Sequence, residues 1–283
     1  MNSSLAKNIC SAQKVENIST LNAGEEDVEL MMLSCEEEAQ PPVAETTGIS
    51  NIGLSSFTAS GTLVEPGQQS DNAAYLGDLI SALPYALLDA PRVAVLNAGV
   101  GLAVQQALHL GASEVAAVEP NPQLHTLVCD AYAQENDNLC RPPRVAWHLQ
   151  TARSFFTGNP ERFDLIALRI AADPTGLDAM KSDFDLTDEA MTEYLAHLAR
   201  GGFVAIEGPT RSPPRLSLRV LATARAALLH TGVPDPALHI AMLRGWQRFN
   251  LLIANTALSV AQQTRIREFA AARGFDLVWL PQM

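Results

Sequence analysis

From residue 73 onward the chain alternates short apolar runs with stretches of helical periodicity. Arg92–Asn97 (RVAVLN) is continuously apolar between Pro91 and Gly99, the pattern of a strand buried on both faces. Leu102–Leu110 has helical spacing and ends at Gly111, where a left-handed cap is wanted. Glu114–Glu119 (EVAAVE) predicts a second strand and Pro122–Ala133 a second helix. Val145–Leu149, Asp164–Ile170 and Gly202–Glu207 (GFVAIE) supply three more strands. A helix over Asp188–Arg200 precedes the last of these, with Thr187 as N-cap and acids in its first turn. A helix over Leu216–His230 follows, then β-type runs at His239–Arg244 and Arg248–Ala254. The chain then predicts a helix over Val260–Arg273, where Ser259 and Gln262 fit a capping box, and a final strand over Phe275–Leu280. Strands alternating with helices in this way predict an α/β protein with a mainly parallel sheet, and no internal repeat competes with that reading.

The first part of the chain is different. Residues 1–48 lack aromatics, carry acidic runs and end near Pro41-Pro42, so they read as an acidic, disordered tail. Within it Val28–Leu33 predicts at most a short helix, marginal in water unless it docks on a partner or on the domain. Residues 49–74 read as a short β or irregular lead-in, and residues 75–283 as the folded domain.

Charge follows the same division. The 283 residues carry a net charge of −12, and residues 1–45, with nine acids against two bases, hold −7 of it. The acidic balance argues against a nucleic-acid binder, which needs clustered Lys and Arg on phosphates. Composition, with 47% hydrophobic and 18% charged residues, suits a packed core. Cys10, Cys35, Cys129 and Cys140 form no CxxC pair, so neither a disulfide framework nor a zinc site is expected, and the cysteines read as reduced. The most apolar stretch, Ala82 to Val104, is broken by Pro84, Asp89, Pro91, Arg92 and Asn97, so no transmembrane helix is expected. No secretory leader is recognisable either. The expectation is a cytoplasmic protein without an integral membrane segment.

Candidate chemistry concentrates where the first strand meets the first helix, at Asn97-Ala98-Gly99-Val100-Gly101. In open α/β sheets ligands sit beyond the carboxyl ends of the strands, and a helix start there offers unpaired N–H groups. Glu119 ends the second strand about 20 residues on, where a carboxylate commonly holds two ribose hydroxyls. A GxG between strand and helix, with an acid closing the next strand, points to an adenosine ligand. The competing reading is a structural turn with Glu119 as a solvated strand end. A dinucleotide site is disfavoured, because Val104 stands where the third glycine of G-x-G-x-x-G would be.

The region from about Tyr75 to Leu280 resembles the spermidine synthase-like branch of the class I S-adenosylmethionine-dependent transferases. The resemblance rests on SALPYALL (Ser81–Leu88), RVAVLNAGVG (Arg92–Gly101), GASEVAAVEPNP (Gly111–Pro122), RFDLIALRIAADPTG (Arg162–Gly176), DLTDEAMTEYLAHLARGG (Asp185–Gly202) and HIAMLRGWQRFNLLIAN (His239–Asn255). It implies a seven-stranded Rossmann-like core with helices on both faces and an antiparallel strand closing one edge. It also implies a donor, S-adenosylmethionine or its decarboxylated form, a small-molecule acceptor, no metal, and a homodimer. By that resemblance Gly99 and Gly101 are glycines of the donor loop, while Asn97 stands where the family usually has the first glycine. Glu119 is the ribose-binding acid, and Thr151 occupies the place of the acid that reads the adenine amino group. Tyr75 begins a reduced version of the run lining the amine pocket, and Asp173 survives from a DP pair of the acceptor site.

Arg169 stands where polyamine synthases carry the aspartate that binds and deprotonates the attacking amine. A guanidinium there repels a cationic amine and cannot serve as a base near neutral pH. Two functions follow. The chain is an S-adenosyl-nucleotide-dependent transferase, by aminopropyl or methyl transfer, with an anionic or neutral acceptor. Alternatively, it is a catalytically degenerate domain that binds or scaffolds, with the tail 1–48 recruiting a protein partner. Other residues read more simply as structure. His125 and His197 lack triad partners, Arg211, Arg215 and Arg219 read as solvated arginines, Trp246 and Trp279 read as core or interface, and Ser154 and Ser182 lack elbow glycines.

Overall fold

Apolar runs too short to be helices, each followed by a helical stretch, can bury both their faces only inside a parallel sheet, and they do so here. The computed structural model describes residues 73–133, 139–140, 143–170 and 184–281, with the backbone of residues 11–12 and 33–34. The chain divides into two compact units, Met1–Leu54 and Ser55–Met283. In the first, the described residues form a two-residue antiparallel pairing of Ser11–Ala12 with Leu33–Ser34. The helix expected at Val28–Leu33 lies outside the described residues except at Leu33, which is in that pairing.

The second unit holds one sheet. Its strands are β1 (Arg92–Leu96), β2 (Glu114–Val118), β3 (Val145–His148), β4 (Phe163–Arg169), β5 (Leu198–Pro209), β6 (Ile240–Arg244), β7 (Arg248–Ala254) and β8 (Asp276–Trp279). They lie in the order β3-β2-β1-β4-β5-β7-β6-β8. Neighbours from β3 to β5 are parallel, whereas β7 is antiparallel to both β5 and β6, and β8 is antiparallel to β6. The sheet has eight strands, one more than the seven-stranded core implied by the resemblance. The extra strand is β8, which pairs with the outer edge of β6 and leaves β3 and β8 as the edges.

The helices are α1 (Leu102–His109), α2 (Pro122–Thr126), α3 (Ala152–Phe156), α4 (Asp188–Ala196), α5 (Arg215–His230) and α6 (Val260–Arg273). A single π turn, Leu127–Ala131, extends α2. The capping box of α6 forms as expected, and Gly274 at φ 68° ends that helix in the left-handed region. Helix α4 ends at Ala196, earlier than its periodicity predicts, because the chain re-enters the sheet at Leu198. Two apolar clusters cover the two sheet faces. Leu165, Phe203 and Leu252 belong to one, and Ile166, Val204 and Leu251 to the other, following the two-residue alternation of strands. Among the described residues no helix is long and apolar enough to cross a membrane.

Candidate functional site

The turn from β1 into α1 is built from left-handed residues. Asn97 (φ 54°), Gly99 (φ 56°) and Gly101 (φ 87°) all have positive φ, and Asn is among the few non-glycine residues that tolerate it. The Asn97 amide donates to Asp185 Oδ2 at 3.0 Å, tying the loop to the short turn before α4. Around Gly99 space is open, since a Cβ there would meet only the Asn97 carbonyl at 3.8 Å. Gly101 faces inward: an added Cβ would lie 2.6 Å from Leu139 Cδ2, with Val128 and Trp147 next nearest.

Glu119 follows β2 and is only 5% exposed. Its Oε2 accepts the Gly99 N–H at 2.8 Å and its Oε1 the Asn121 N–H at 2.9 Å. One carboxylate therefore fastens the two loops that leave β1 and β2. With about four lone-pair directions on a carboxylate, two remain for a ligand's hydroxyls. Thr151 is the N-cap of α3: its hydroxyl accepts the Ser154 N–H at 3.2 Å and donates to Ser154 Oγ at 3.0 Å, leaving one lone pair. Trp147, which sequence reasoning did not single out, buries its indole Nε1 without a partner among the described residues. Its ring edge packs near Gly101, with Cζ2 4.0 Å from where a Cβ there would lie.

Because Gly101 combines φ 87° with a buried neighbour, Gly101→Ala is expected to lower unfolding stability by about 1–3 kcal/mol. Denaturant titration of the two proteins measures this. A loss below a few tenths of a kcal/mol would mean that the loop relaxes freely around the methyl group.

Cys129 and Cys140 form a disulfide with Cα atoms 5.4 Å apart, correcting the expectation of unpaired cysteines. Spacing along the chain gives no sign of it, the two cysteines being eleven residues apart. The bridge anchors the chain next to Leu139, the residue packed on Gly101. The cysteine sulfurs and His125 lie within 4.8 Å of one another, but the sulfurs are bonded to each other rather than offered as ligands.

A second group of polar residues was not legible in advance as a group. Strand register places Arg169 of β4 opposite Glu207 of β5, and Glu207 opposite Asn250 of β7. Arg248, two residues before Asn250, points to the same face of β7. Glu207 Oε2 lies 3.5 Å from Arg169 Nε, and its Oε1 pairs with Arg248 Nε. Arg248 Nη2 also donates to the Ile170 carbonyl at 3.0 Å. Burial pulls the Arg248 guanidinium below its usual pKa, an effect that Glu207 opposes and Arg169 reinforces.

These residues line an open cleft. Ala167 and Ala205 form its small-residue floor, Leu102 and Ala103 bring in the start of α1, and Ser81 and Tyr85 come from the 3-10 turn Ile80–Ala86. Glu207 and Asn250 left a faint trace in the sequence, being polar residues in otherwise apolar strands.

The remaining candidates fall elsewhere. Tyr75 is exposed on the turn Ala73–Gly77. Asp173 and Ser182 lie outside the described residues. His197 has a backbone carbonyl at each ring nitrogen, Glu193 at 2.9 Å and Asn159 at 3.0 Å, and packs on Phe156. Arg211, Arg215 and Arg219 are exposed, and Ser154 is spent on capping α3. Trp246 is 95% exposed rather than core, while Trp279 donates to the Ala237 carbonyl at 3.3 Å.

The chain matches no family model and no curated protein. Among solved structures it is similar to a probable spermidine synthase from Corynebacterium glutamicum, with a TM-score of 0.52 and 20% identity over 76% of this chain and 77% of that one. It is also similar to a spermidine synthase in complex with the transition state analogue AdoDATO, with a TM-score of 0.48 and 13% identity over 69% of this chain. A spermidine synthase from Thermotoga maritima gives a TM-score of 0.45 and 13% identity over 69% of this chain. This chain spans 64% of the length of each of these last two proteins. What is shared is the fold, a Rossmann-like α/β fold of the class I methyltransferase type.

Proposed function

We propose that the chain is a transferase using an S-adenosyl nucleotide as donor, bound at Asn97, Gly99, Gly101 and Glu119, with an acceptor other than a polyamine. One observation carries the reading: the Glu119 carboxylate is buried beside the open Gly99 backbone and held there by two N–H groups. A solvated strand-end acid would not be so enclosed. The residues present suit an adenosyl group, since Gly99 admits close approach and Glu119 keeps acceptor capacity for two hydroxyls.

When bound, such a donor supplies an electrophilic carbon on a sulfonium, which the acceptor's lone pair attacks as the carbon–sulfur bonding pair passes to sulfur. The protein's part is alignment. Glu119 fixes the ribose end and Thr151 offers one acceptor lone pair toward the adenine end. Arg169 and Arg248 line the neighbouring cleft and repel an ammonium group, while Glu207, the acid lining that cleft among the described residues, is tied to both guanidiniums. A polyamine therefore finds no unpaired carboxylate among the described residues that line that cleft. Tyr75 and Asp173 stay with this proposal as acceptor-side residues.

Calorimetric titration with S-adenosylmethionine, decarboxylated S-adenosylmethionine and methylthioadenosine tests the reading. Binding of at least one of the three at micromolar to millimolar concentration is expected. Failure of all three would leave a domain that keeps the fold and works as a binding module.

A further inference from the structure

His125 and Cys129 stand four residues apart where α2 runs into the π turn Leu127–Ala131. That separation sets two side chains next to each other on one face of a helix. Cys140, eleven residues on, reaches the same spot, its Cα 5.4 Å from that of Cys129. An imidazole nitrogen and the two sulfurs therefore lie within 4.8 Å of one another, on three half-buried side chains. Trp147 meets the His125 ring edge to face, with centroids 5.7 Å apart. One nitrogen and two sulfurs make a donor set that suits zinc rather than magnesium or calcium. Zinc bonds of about 2.3 Å to sulfur and 2.0–2.1 Å to nitrogen put tetrahedral ligand atoms about 3.5–3.8 Å apart. Atoms already this close need move little, once the sulfurs can part and carry thiolate charge. Cysteine spacing alone conceals the set, because its third member is a histidine one helical turn before Cys129.

We propose that His125, Cys129 and Cys140 form a redox-gated zinc site, closed while the disulfide stands and opened when a dithiol reductant cleaves it. In that step a reductant thiolate attacks one bridge sulfur and the S–S bond breaks. The reductant's second thiol then displaces the mixed disulfide, so the reductant leaves as a cyclic disulfide. Two electrons and two protons have passed to the cysteines, and zinc binds as those protons go to solvent. Three protein ligands leave the fourth tetrahedral position to water. The site lies behind the glycine loop, since Val128 and Leu139, each next to a cysteine, are the nearest side chains to Gly101. Disulfide and zinc each tie these two segments together, whereas the reduced, metal-free pair releases them. Zinc binding needs no nucleotide and stands apart from the transferase reading.

The test uses the full chain carrying Cys10→Ser and Cys35→Ser, which leaves Cys129 and Cys140 as its only cysteines. One sample stays oxidised; the other is reduced by a water-soluble phosphine, which ends as its oxide and competes little for metal. Cobalt(II), a coloured stand-in for zinc, is titrated into each and then displaced with zinc. The reduced chain is expected to take up one equivalent, with thiolate-to-cobalt absorption and a Kd of about 1 μM or tighter. The oxidised chain is expected to bind about 100-fold more weakly or worse. His125→Ala, which spares both cysteines, should weaken binding to the reduced chain about tenfold or more. Cys140→Ser should abolish uptake at micromolar metal. Zinc is also expected to raise the Tm of the reduced chain and not of the oxidised one, as followed by circular dichroism. If Cys140→Ser fails to fold, the His125→Ala comparison decides. A bridge that resists the phosphine, equal uptake by both redox forms, no uptake by the reduced chain, or an affinity that His125→Ala leaves unchanged overturns the proposal. So does a reduced chain that unfolds and that zinc does not refold.

Discussion

Glu207→Leu is expected to lower the free energy of unfolding by about 3–5 kcal/mol, the usual cost of removing one member from a buried charge cluster. The carboxylate touches two guanidiniums, and its side chain is 11% exposed against 24% for Arg169 and 15% for Arg248. Taking it away removes the carboxylate that both guanidiniums share. Arg248 is affected most, since burial already disfavours its charged form and Glu207 is what offsets that. The triple variant Arg169→Met, Glu207→Leu, Arg248→Met removes these three charges together and is expected to recover to within about 1–2 kcal/mol of the parent. Urea titrations of the parent, the single and the triple variants measure both effects. A loss under 1 kcal/mol in Glu207→Leu would show that water reaches the cluster and screens it as it does a surface pair.

Glu119→Gln is expected to weaken S-adenosylmethionine binding about 100-fold, equivalent to about 2.7 kcal/mol. The change keeps the shape of the side chain but replaces one acceptor oxygen with an NH2 group. Since both oxygens receive backbone N–H groups, from Gly99 and Asn121, the amide must point a donor at a donor whichever way it turns. Stability falls as well, by about 1.5–3 kcal/mol for one charge-assisted hydrogen bond. Titration calorimetry separates the two consequences from denaturation measured without ligand. A stability loss with unchanged affinity would reduce Glu119 to a fastener of loops and take the ribose contact out of the donor site.

The two sites differ in how much of them the sequence shows. The loop proposed to hold the donor is nearly all local: a strand, a glycine turn, a helix and the acid ending the next strand fall within one βαβ unit. The physics of a parallel pair then brings Gly99 and Glu119 together, and the structure adds the particular hydrogen bonds. Arg169 is legible as an oddity, because a guanidinium at the end of a buried strand needs an explanation. What it pairs with is not legible. Glu207 and Arg248 lie on strands that other elements separate along the chain, and nothing in a sequence states that β7 inserts antiparallel between β5 and β6. The Cys129–Cys140 bridge escapes as well, since two cysteines eleven residues apart carry no spacing signal for pairing.

By itself the sequence determined the α/β class, most element positions, the acidic character of the first residues and the loop that holds Gly99, Gly101 and Glu119. These follow from periodicity, capping and turn chemistry, all of which act over a few residues. The tertiary structure alone decided the pairing of β8 on the edge of β6, the disulfide and the row Arg169–Glu207–Asn250 with Arg248 beside it. Each depends on strand register or on a chain reversal, and such contacts are selected by the packing of the whole sheet rather than by any neighbouring residue.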